Sequence, residues 1–378
     1  MSRYKIAILQ RVPTPYRNPL FERIATHPSM ELHVYFTASS RKDKGWISEH
    51  SSKFNCKSLP WFPLSSYINP SIIPELVRNN YNAIIAGGYY PFTNQVAFIL
   101  SKIKNTPFIL WSASTIYEAS FLRKIAYPVI KLIVKHSDAF IACSSRSKEY
   151  LISLGAHPGK ISIAPNAIDV DFFKAQSLKH EPQKENLKSQ LKIEEKKLIL
   201  YVGRLVESKG LKYLMEAYRD LKKEKNDVDL MIIGDGPQRD ELVSLCQQEQ
   251  IKDVHLLGFI PNEQLPLYYS IADVFVFPST RDAFGMVVLE AMACGLPIVI
   301  TNRAGASADV VKHGVNGYIT GDRNAGQLYE AIKGILSDSE IEKSMGEQSQ
   351  KIIEEGFTLE QAVQGFIDAI NHVTKSSI

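Results

Sequence analysis

The stretch "DVFVFPSTRDAFGMVVLEAMACG", residues 273–295, predicts a strand, a short loop and a helix in that order. Residues 273–279 alternate apolar side chains and end just after Pro278, which is typical of a buried strand followed by a turn. The segment from Met286 is rich in Leu, Ala, Met and Glu, and Gly295 is a suitable C-terminal cap. Strand, loop and helix together form the unit from which parallel α/β sheets are built.

Strand candidates of this kind recur along the chain, with helical spacing between them. The first series comprises residues 4–9, 31–36, 83–88, 107–112 and 138–144, and the second comprises 197–205, 229–236, 254–259, 273–279 and 296–301. The sequence therefore predicts an α/β protein with two doubly wound, parallel-sheet (Rossmann-like) domains. We expect the domains to face a cleft at the carboxyl ends of their strands, where ligands bind in such folds.

A polar, charged stretch at 174–197 separates the two series and contains few strand-forming residues. It places an N-terminal domain at 1–170, a linker with a solvated helix at 171–196, and a C-terminal domain at 197–357. A C-terminal helix at about 358–378 is expected to pack back on the first domain. The length of 378 residues supports two to three domains.

The composition, 45% hydrophobic and 22% charged, is typical of a soluble globular protein. The four cysteines are scattered without a C-x-x-C pair, which favours a reducing compartment and argues against a zinc site. The first ten residues predict a strand and not a signal peptide, and no apolar run reaches the roughly 18 residues of a membrane span. We therefore expect a cytoplasmic protein.

The charge is unevenly distributed along the chain. Residues 1–136 hold 17 Lys and Arg against 6 Asp and Glu, a net charge of +11, whereas the remaining residues hold 27 and 34, a net charge of −7. Such asymmetry suggests that the first domain meets an anionic partner. No nucleic-acid-binding motif is present, so nucleic acid is not expected, and a membrane surface or a phosphorylated acceptor is favoured. The segment 121–137 interleaves basic and apolar residues, as does the loop 41–54, which is typical of an interfacial surface.

Two carboxylates bracket the start of the helix after residue 285. Asp282 falls on the loop, and Glu290 lies roughly 6 Å along the helix axis from Met286. Between them, the amides at the helix start form an anion-binding position. A nucleotide sugar has the matching order of ribose diol, diphosphate and sugar hydroxyls. The alternative is an acid that stabilises the helix dipole together with an exposed, solvated Glu290.

The second domain opens with "YVGRLVESKG", 201–210, in which Gly203 permits a tight turn at a strand end. Arg204 and Lys209 then offer two cations for a diphosphate, Arg204 as a bidentate fork and Lys209 as a point charge. The two "DVD" triplets, at 169–171 and 227–229, are better explained as solvated acids than as metal ligands, and no histidine cluster is present. No metal site is predicted.

These motifs resemble the group 1 (family four) retaining glycosyltransferases, which have the GT-B fold. The resemblance rests on "VGRL…KG", "IIGDGP", "GF…L…YY…AD…FVFPS" and "DAFG…EAMACGLP", which occur in the order and spacing of that family, and on the segment 155–173. It implies that Glu290 holds the ribose hydroxyls, that Asp282 contacts the sugar, and that Arg204 and Lys209 clamp the diphosphate. It further implies that backbone groups bind the phosphate and the sugar at Phe284, Gly285, Met286 and Val287. Backbone atoms of Ile260 are implied to contact the base.

The first domain departs from the family pattern at two places. The glycine-rich loop expected after the first strand is replaced by "QRVPTPYRNPL", 10–20, with Arg11 and Arg17. Where a histidine is usual, "LWSAST", 110–115, offers Trp111 instead. Gly87 and Gly88 are explained equally well as cleft residues or as a tight strand-to-helix turn.

The predicted reaction is transfer of a hexosyl or N-acetylhexosaminyl group from a UDP- or GDP-sugar to an acceptor hydroxyl, with the retention that the family resemblance implies. No cofactor is required beyond the donor. The predicted acceptor is an oligosaccharide or lipid-linked glycan in surface-polysaccharide assembly, used by an enzyme peripheral on the inner face of the membrane. Two alternatives are a GT-B-type nucleotide-sugar epimerase and a non-catalytic nucleotide-sugar-binding partner; the latter is favoured only by Asp282 in place of the family's usual Glu.

Overall fold

The structure is a computed structural model that describes residues 3–14, 16–38, 54–60, 68–118, 121–179 and 181–375. The chain forms two compact units. Unit 1 comprises Met1–Ala167 together with Leu359–Ile378, and unit 2 comprises Ile168–Thr358. Each is built on its own parallel sheet, which confirms the prediction of two Rossmann-like α/β domains.

In the described residues, the sheet of unit 1 has seven parallel strands in the order β3-β2-β1-β4-β5-β6-β7. The central strands are apolar on both faces, and residues 6–9 are fully buried, because helices cover the sheet on both sides. The strands are β1 (Tyr4–Gln10), β2 (Met30–Phe36), β3 (Asn55–Ser58), β4 (Ala83–Gly87), β5 (Phe108–Ser112), β6 (Ala139–Ala142) and β7 (Ile161–Ile163).

Six helices of the described residues pack on this sheet, in two layers with separate apolar clusters. They are α1 (Arg17–Ala25), α2 (Ile72–Arg78), α3 (Phe92–Ile103), α4 (Phe121–His136), α5 (Ser145–Ser153) and α14 (Leu359–Lys375). One layer contains α1 and α14, the last helix of the chain, which buries Phe366 and Ile370 beside Trp111. The other contains α2, α3, α4 and α5.

The sheet of unit 2 has six parallel strands in its described residues, in the order β10-β9-β8-β11-β12-β13. Because β8 lies between β9 and β11, the loops that follow these three strands leave the same edge side by side. The strands are β8 (Lys197–Val202), β9 (Val228–Ile233), β10 (Val254–Gly258), β11 (Val274–Phe277), β12 (Ile298–Thr301) and β13 (Gly317–Thr320).

The stretch 171–196, which the sequence predicts to be a linker, contains two helices that group with unit 2. Two apolar residues of this stretch, Phe173 and Ile193, are buried, and so is Val170 immediately before it. The helices of unit 2 are α6 (Val170–Lys179), α7 (Glu181–Leu191), α8 (Leu211–Glu224), α9 (Arg239–Gln248), α10 (Leu265–Ile271), α11 (Met286–Ala293), α12 (Ala325–Leu336) and α13 (Ser339–Gly356). Over the part of the chain that is described, no helix combines the length and apolarity needed to cross a bilayer.

Candidate functional site

The predicted site residues of unit 2 lie at the carboxyl edge of its sheet. β8 runs into a 3₁₀ turn at Glu207–Lys209, and β11 runs into the loop before α11. The carbonyl of Ser208 accepts hydrogen bonds from the amides of Thr280 (2.9 Å) and Arg281 (3.2 Å). Gly210, with φ of 67°, permits this contact, because a Cβ there would lie 2.1 Å from the carbonyl oxygen of Pro278. The two loops therefore form one connected rim.

The start of α11 presents backbone amides that have no hydrogen-bond acceptor in the described chain. Gly285 caps the helix with φ of 101°, and a Cβ on it would lie 2.7 Å from the ring of Phe277, so a residue with a side chain does not fit. The amides of Gly285, Met286 and Val287 donate to no residue of the described chain. Three converging N–H groups at the positive end of a helix bind an anion such as phosphate.

The structure brings Lys209 and Asp282 together as an ion pair, although they are 73 residues apart. Their side chains are only 12% and 17% exposed, and the ammonium group of Lys209 also lies 4.9 Å from the ring centroid of Phe277. Asp282 accepts a further bond from the amide of Phe284, at 3.0 Å. The sequence predicts separate roles for the two side chains and does not predict their pairing, which follows from the adjacency of β8 and β11 in the folded sheet.

Glu290 is fully buried within α11. The hydroxyl of Tyr269 on α10 donates to its carboxylate at 2.8 Å, so the negative charge is hydrogen-bonded. Burial raises the pKa of the Cys294 thiol, and the charge of Glu290 raises it further, so this neighbour stays neutral. Glu290 is thus not the exposed, solvated residue that the alternative explanation required. Tyr269 is a site residue that sequence reasoning missed.

The remaining predicted residues of unit 2 lie along the same edge. Gly203 follows β8, and the next strand packs so closely that a Cβ on Gly234 would lie 1.8 Å from the Gly203 carbonyl oxygen. The side chain of Arg204 is exposed and forms no ion pair with any described residue. Ile260 is half-buried just beyond the end of β10. Arg204 is therefore an exposed cation at this edge that has no ion pair with a described residue.

One acid of the predicted non-metal "DVD" triplets has a structural role. Asp229, at the start of β9, pairs with Lys196 (2.9 Å) and His255 (2.8 Å) at the amino edge of the sheet. Within the described ranges, no group of three or more His, Cys, Asp or Glu side chains is arranged to hold a metal ion.

The carboxyl edge of the unit 1 sheet contains the residues whose roles the sequence left open. The side-chain amide of Asn94 donates to the carbonyls of Gly87 (3.1 Å) and Gly88 (2.8 Å), and the amide of Gly88 donates to the carbonyl of Trp111 (2.8 Å). This is the tight strand-to-helix turn that was one of the two explanations for the glycines. Arg17 lies over the Trp111 ring.

Two parallel-sheet α/β units, of seven and six strands in the described residues, are the architecture of the GT-B proteins. A solved Anabaena protein, HepE in complex with UDP, has the same fold: the match covers 99% of this chain and 100% of that one, with a TM-score of 0.81 and 21% identity. The model of glycosyl transferases group 1 matches residues 182–352, and the model of Glycosyltransferase Family 4 matches residues 30–172. The chain belongs to the group 1 glycosyltransferases.

Two curated relatives share part of their length with this chain. An uncharacterized glycosyltransferase of Methanocaldococcus jannaschii is 38% identical over 146 residues, which is 38% of this chain and 37% of that protein. The alpha-D-kanosaminyltransferase of Streptomyces kanamyceticus is 23% identical over 286 residues, which is 73% of this chain and 72% of that protein.

Proposed function

We propose that this protein transfers a sugar from a nucleoside-diphosphate sugar to an acceptor hydroxyl, with retention of the anomeric configuration. The observation that carries the proposal is the start of α11, where three amides have no partner in the described chain and Asp282, paired with Lys209, lies on the adjoining loop. A uridine donor is supported by the Anabaena protein of the same fold, whose structures hold UDP or UDP-glucose.

The chemical difficulty in this reaction is the negative charge that develops on the departing diphosphate. Preorganised donors aimed at that charge lower the barrier without reorganising during the reaction. We assign this role to the α11 amides, to Arg204 and to Lys209. No carboxylate is assigned as a covalent nucleophile; a front-face route, in which a donor phosphate oxygen assists deprotonation of the acceptor, is what the family resemblance suggests.

The carboxylates receive separate roles in this proposal. We assign Glu290 to the ribose hydroxyls, with the Tyr269 hydroxyl donating to one of its carboxylate oxygens. Asp282 binds a hydroxyl of the transferred sugar while it keeps Lys209 in position. Gly203, Phe284 and Ile260 contribute close backbone approach, to the diphosphate, the sugar and the base respectively.

The donor assignment is tested by thermal unfolding across a panel of UDP- and GDP-sugars, followed by turnover with glycan acceptors and NMR of the product anomer. We expect a UDP-sugar to raise the melting temperature most and the product to retain the donor's configuration. Conversion of the donor by the enzyme alone would indicate the epimerase alternative. Binding without turnover of any acceptor would indicate a non-catalytic partner.

We propose that catalysis needs no metal, since Arg204, Lys209 and the α11 amides supply the positive charge. Transfer should continue unchanged in EDTA. Loss of transfer in EDTA, with recovery on adding Mn²⁺ or Mg²⁺, would contradict this. Loss of transfer that neither ion restores would point to an effect of EDTA other than metal removal, which a second chelator would identify.

We further propose that unit 1 binds a lipid-linked acceptor at the cytoplasmic face of an anionic membrane, as a step in surface-polysaccharide assembly. Two helices of one layer present apolar residues outward at helical spacing, although their inner faces are already packed on the sheet. The outward-facing apolar side chains are large and exposed: Phe92, Ile99 and Ile103 on α3, and Ile125, Val129 and Leu132 on α4.

Charge on the same helix favours an anionic partner for this apolar surface. Lys131 and Lys135 are exposed on α4, and the ammonium group of Lys131 lies 4.9 Å from the Tyr127 ring centroid. Each basic residue near an anionic leaflet contributes about 1 kcal/mol. The loop 41–54 lies outside the described residues apart from Phe54, as do the side chains of 121–124.

Liposome co-sedimentation tests the membrane proposal. Binding to phosphatidylglycerol vesicles should fall with salt and with the combined change Ile99→Ser, Ile103→Ser and Leu132→Ser. Leu178→Ser, at an equally exposed position of unit 2, is the matched control and should bind like the wild type. Binding that is indifferent to lipid charge, or that survives the triple change, would leave a soluble acceptor as the better account.

A further inference from the structure

Arg17 is held in a defined position at the carboxyl edge of the unit 1 sheet. Its guanidinium carbon lies 4.3 Å from the Trp111 ring centroid, and the group donates to the side-chain oxygen of Asn166 at 3.1 Å. Trp111 and Asn166 are both more than nine-tenths buried. The three residues come from the start of α1, the end of β5 and the segment after β7, so three separate parts of the chain converge on one cation.

Among the described residues, the neighbours of this cation carry no compensating charge. No carboxylate of the described residues pairs with Arg17, in contrast to Arg23 on the same helix, which pairs with Glu360. The buried Cys143 thiol lies beside Arg17 and accepts a bond from the Trp111 indole at 3.0 Å. Burial raises the pKa of Cys143 in spite of the nearby guanidinium, so the sulfur is neutral and supplies no counter-charge.

A half-buried cation without an acidic partner pays a desolvation cost that is recovered when a ligand brings the opposite charge. The guanidinium has five N–H donors in a planar fork, of which one bonds to Asn166 and another is directed to the Cys143 sulfur. Stacking on the indole orients the plane of the fork and limits the conformational freedom lost on binding. The carboxyl edge of a parallel sheet is also the edge at which such folds bind their ligands.

We propose that Arg17 binds an anionic group of the acceptor, a phosphate or a carboxylate, through its guanidinium fork, with Trp111 and Asn166 as positioning residues. The inference rests on the proposed function, because it specifies the class of acceptor that the transferase uses. The excess of basic residues in 1–136 draws acceptors of that charge to unit 1.

Isothermal titration of the full chain with inorganic pyrophosphate, and separately with malonate, tests this site. Arg17→Gln should weaken binding roughly tenfold to a hundredfold, the equivalent of a charge-assisted hydrogen bond. Arg23→Gln is the matched control on α1 and should bind like the wild type. Arg204→Gln isolates the donor site of unit 2, which also attracts pyrophosphate. A preference for pyrophosphate or for malonate identifies the anionic group.

The variants separate the possible outcomes. Binding that depends on Arg204 and not on Arg17 would overturn the inference and leave the donor site intact. Thermal stabilisation by UDP reports the donor site independently, so its loss would count against the proposed function instead. If Arg17→Gln does not fold, Arg17→Lys keeps the charge but removes the fork and should still weaken binding; undiminished binding by that variant would contradict the proposal.

Discussion

The carboxyl edges of the two sheets each hold a cation against an aromatic ring, and they differ in the counter-charge. In unit 2, Lys209 lies over Phe277 and is paired with Asp282. In unit 1, Arg17 lies over Trp111 with the neutral Asn166 as its partner. A ligand of the proposed donor site in unit 2 would therefore meet a neutral pair and share its cation, whereas the anionic ligand proposed for unit 1 would itself supply the missing charge. The same local arrangement thus suits two different ligands.

Breaking the pair in unit 2 is expected to have the largest effect. Lys209→Ala should lower turnover by about 10²–10³, the cost of losing one preorganised donor to a developing charge. It should also lower the melting temperature, because Asp282 remains partly buried without its cation. Lys212→Ala, at an exposed position three residues further on, is the control. Unchanged turnover would remove Lys209 from the catalytic machinery.

The buried carboxylate of Glu290 should control donor affinity, whereas Lys209 should control turnover. Glu290→Ala is expected to weaken donor binding by about tenfold or more, since charge-assisted bonds to the ribose hydroxyls are lost. Asp282→Ala should mainly lower turnover. Isothermal titration with the donor nucleotide, compared with steady-state kinetics, separates the two effects. Thermal unfolding of Glu290→Gln shows whether burial alone accounts for the loss, and equal affinity of wild type and Glu290→Ala would exclude the ribose assignment.

The geometry of the α11 start, with its amides that have no partner in the described chain, depends on Gly285. The Arg17 site proposed for unit 1 does not depend on a glycine, so the substitution tests unit 2 alone. Gly285→Ala should destabilise the protein by about 1–3 kcal/mol, because the residue has positive φ and its new Cβ would clash with the Phe277 ring. Gly334→Ala, within α12, meets nothing closer than 3.9 Å and should stabilise the protein by roughly 0.5–1 kcal/mol. Both free energies come from denaturant unfolding. A Gly285→Ala protein of wild-type stability would contradict this account of the helix start.

The smallest effect is expected at the amino edge of the unit 2 sheet, away from the site. The bond from Lys222 lowers the pKa of Asp253 below its usual range. A lowered carboxyl pKa stabilises the fold above the unfolded pKa of about 3.9, and this stabilisation is lost as the pH falls through the folded pKa. Asp253→Asn retains a residue suited to the positive φ of 59°. Its melting temperature should be lower than that of the wild type at neutral pH.

Comparing the melting temperatures of the wild type and Asp253→Asn at several pH values tests the direction of the pH dependence. The difference in melting temperature between Asp253→Asn and the wild type should shrink as the pH falls below about 4, where the wild-type carboxylate takes up its proton. Turnover at neutral pH should stay close to the wild-type value. A difference that grows toward acidic pH would mean that the bond to Lys222 is not what stabilises the fold there.

The sequence predicted the inner strands of both sheets and missed three at their edges. β3, β7 and β13 each lie at an end of a sheet and have three or four residues, several of them polar or partly exposed. A strand buried on both faces produces a continuous apolar run, whereas an edge strand has a neighbour on one side only and carries a weaker pattern. The fold class was therefore predictable, and the full width of the sheets was not.

The site was predictable where its chemistry is local in sequence. The strand, the glycine cap and the carboxylate of α11 occupy one continuous stretch, so a pattern indicates them together. The pairing of Lys209 with Asp282, and of Tyr269 with Glu290, joins separate segments. Side-chain burial and rotamer decide such pairs, and neither has a sequence signal. The roles of these residues in binding and transfer stay predictions.

The position of α14 has a consequence for the order in which the chain becomes folded during synthesis. This helix supplies Phe366 and Ile370 to the core of unit 1, yet the 191 residues of unit 2, from 168 to 358, are made first. At roughly 5–20 residues per second, the ribosome needs about 10–40 s for that interval. Throughout it, one face of the nascent first sheet lacks its last apolar cover, and Trp111 lacks the ring of Phe366. The newly made chain therefore exposes an apolar face that favours aggregation until α14 emerges.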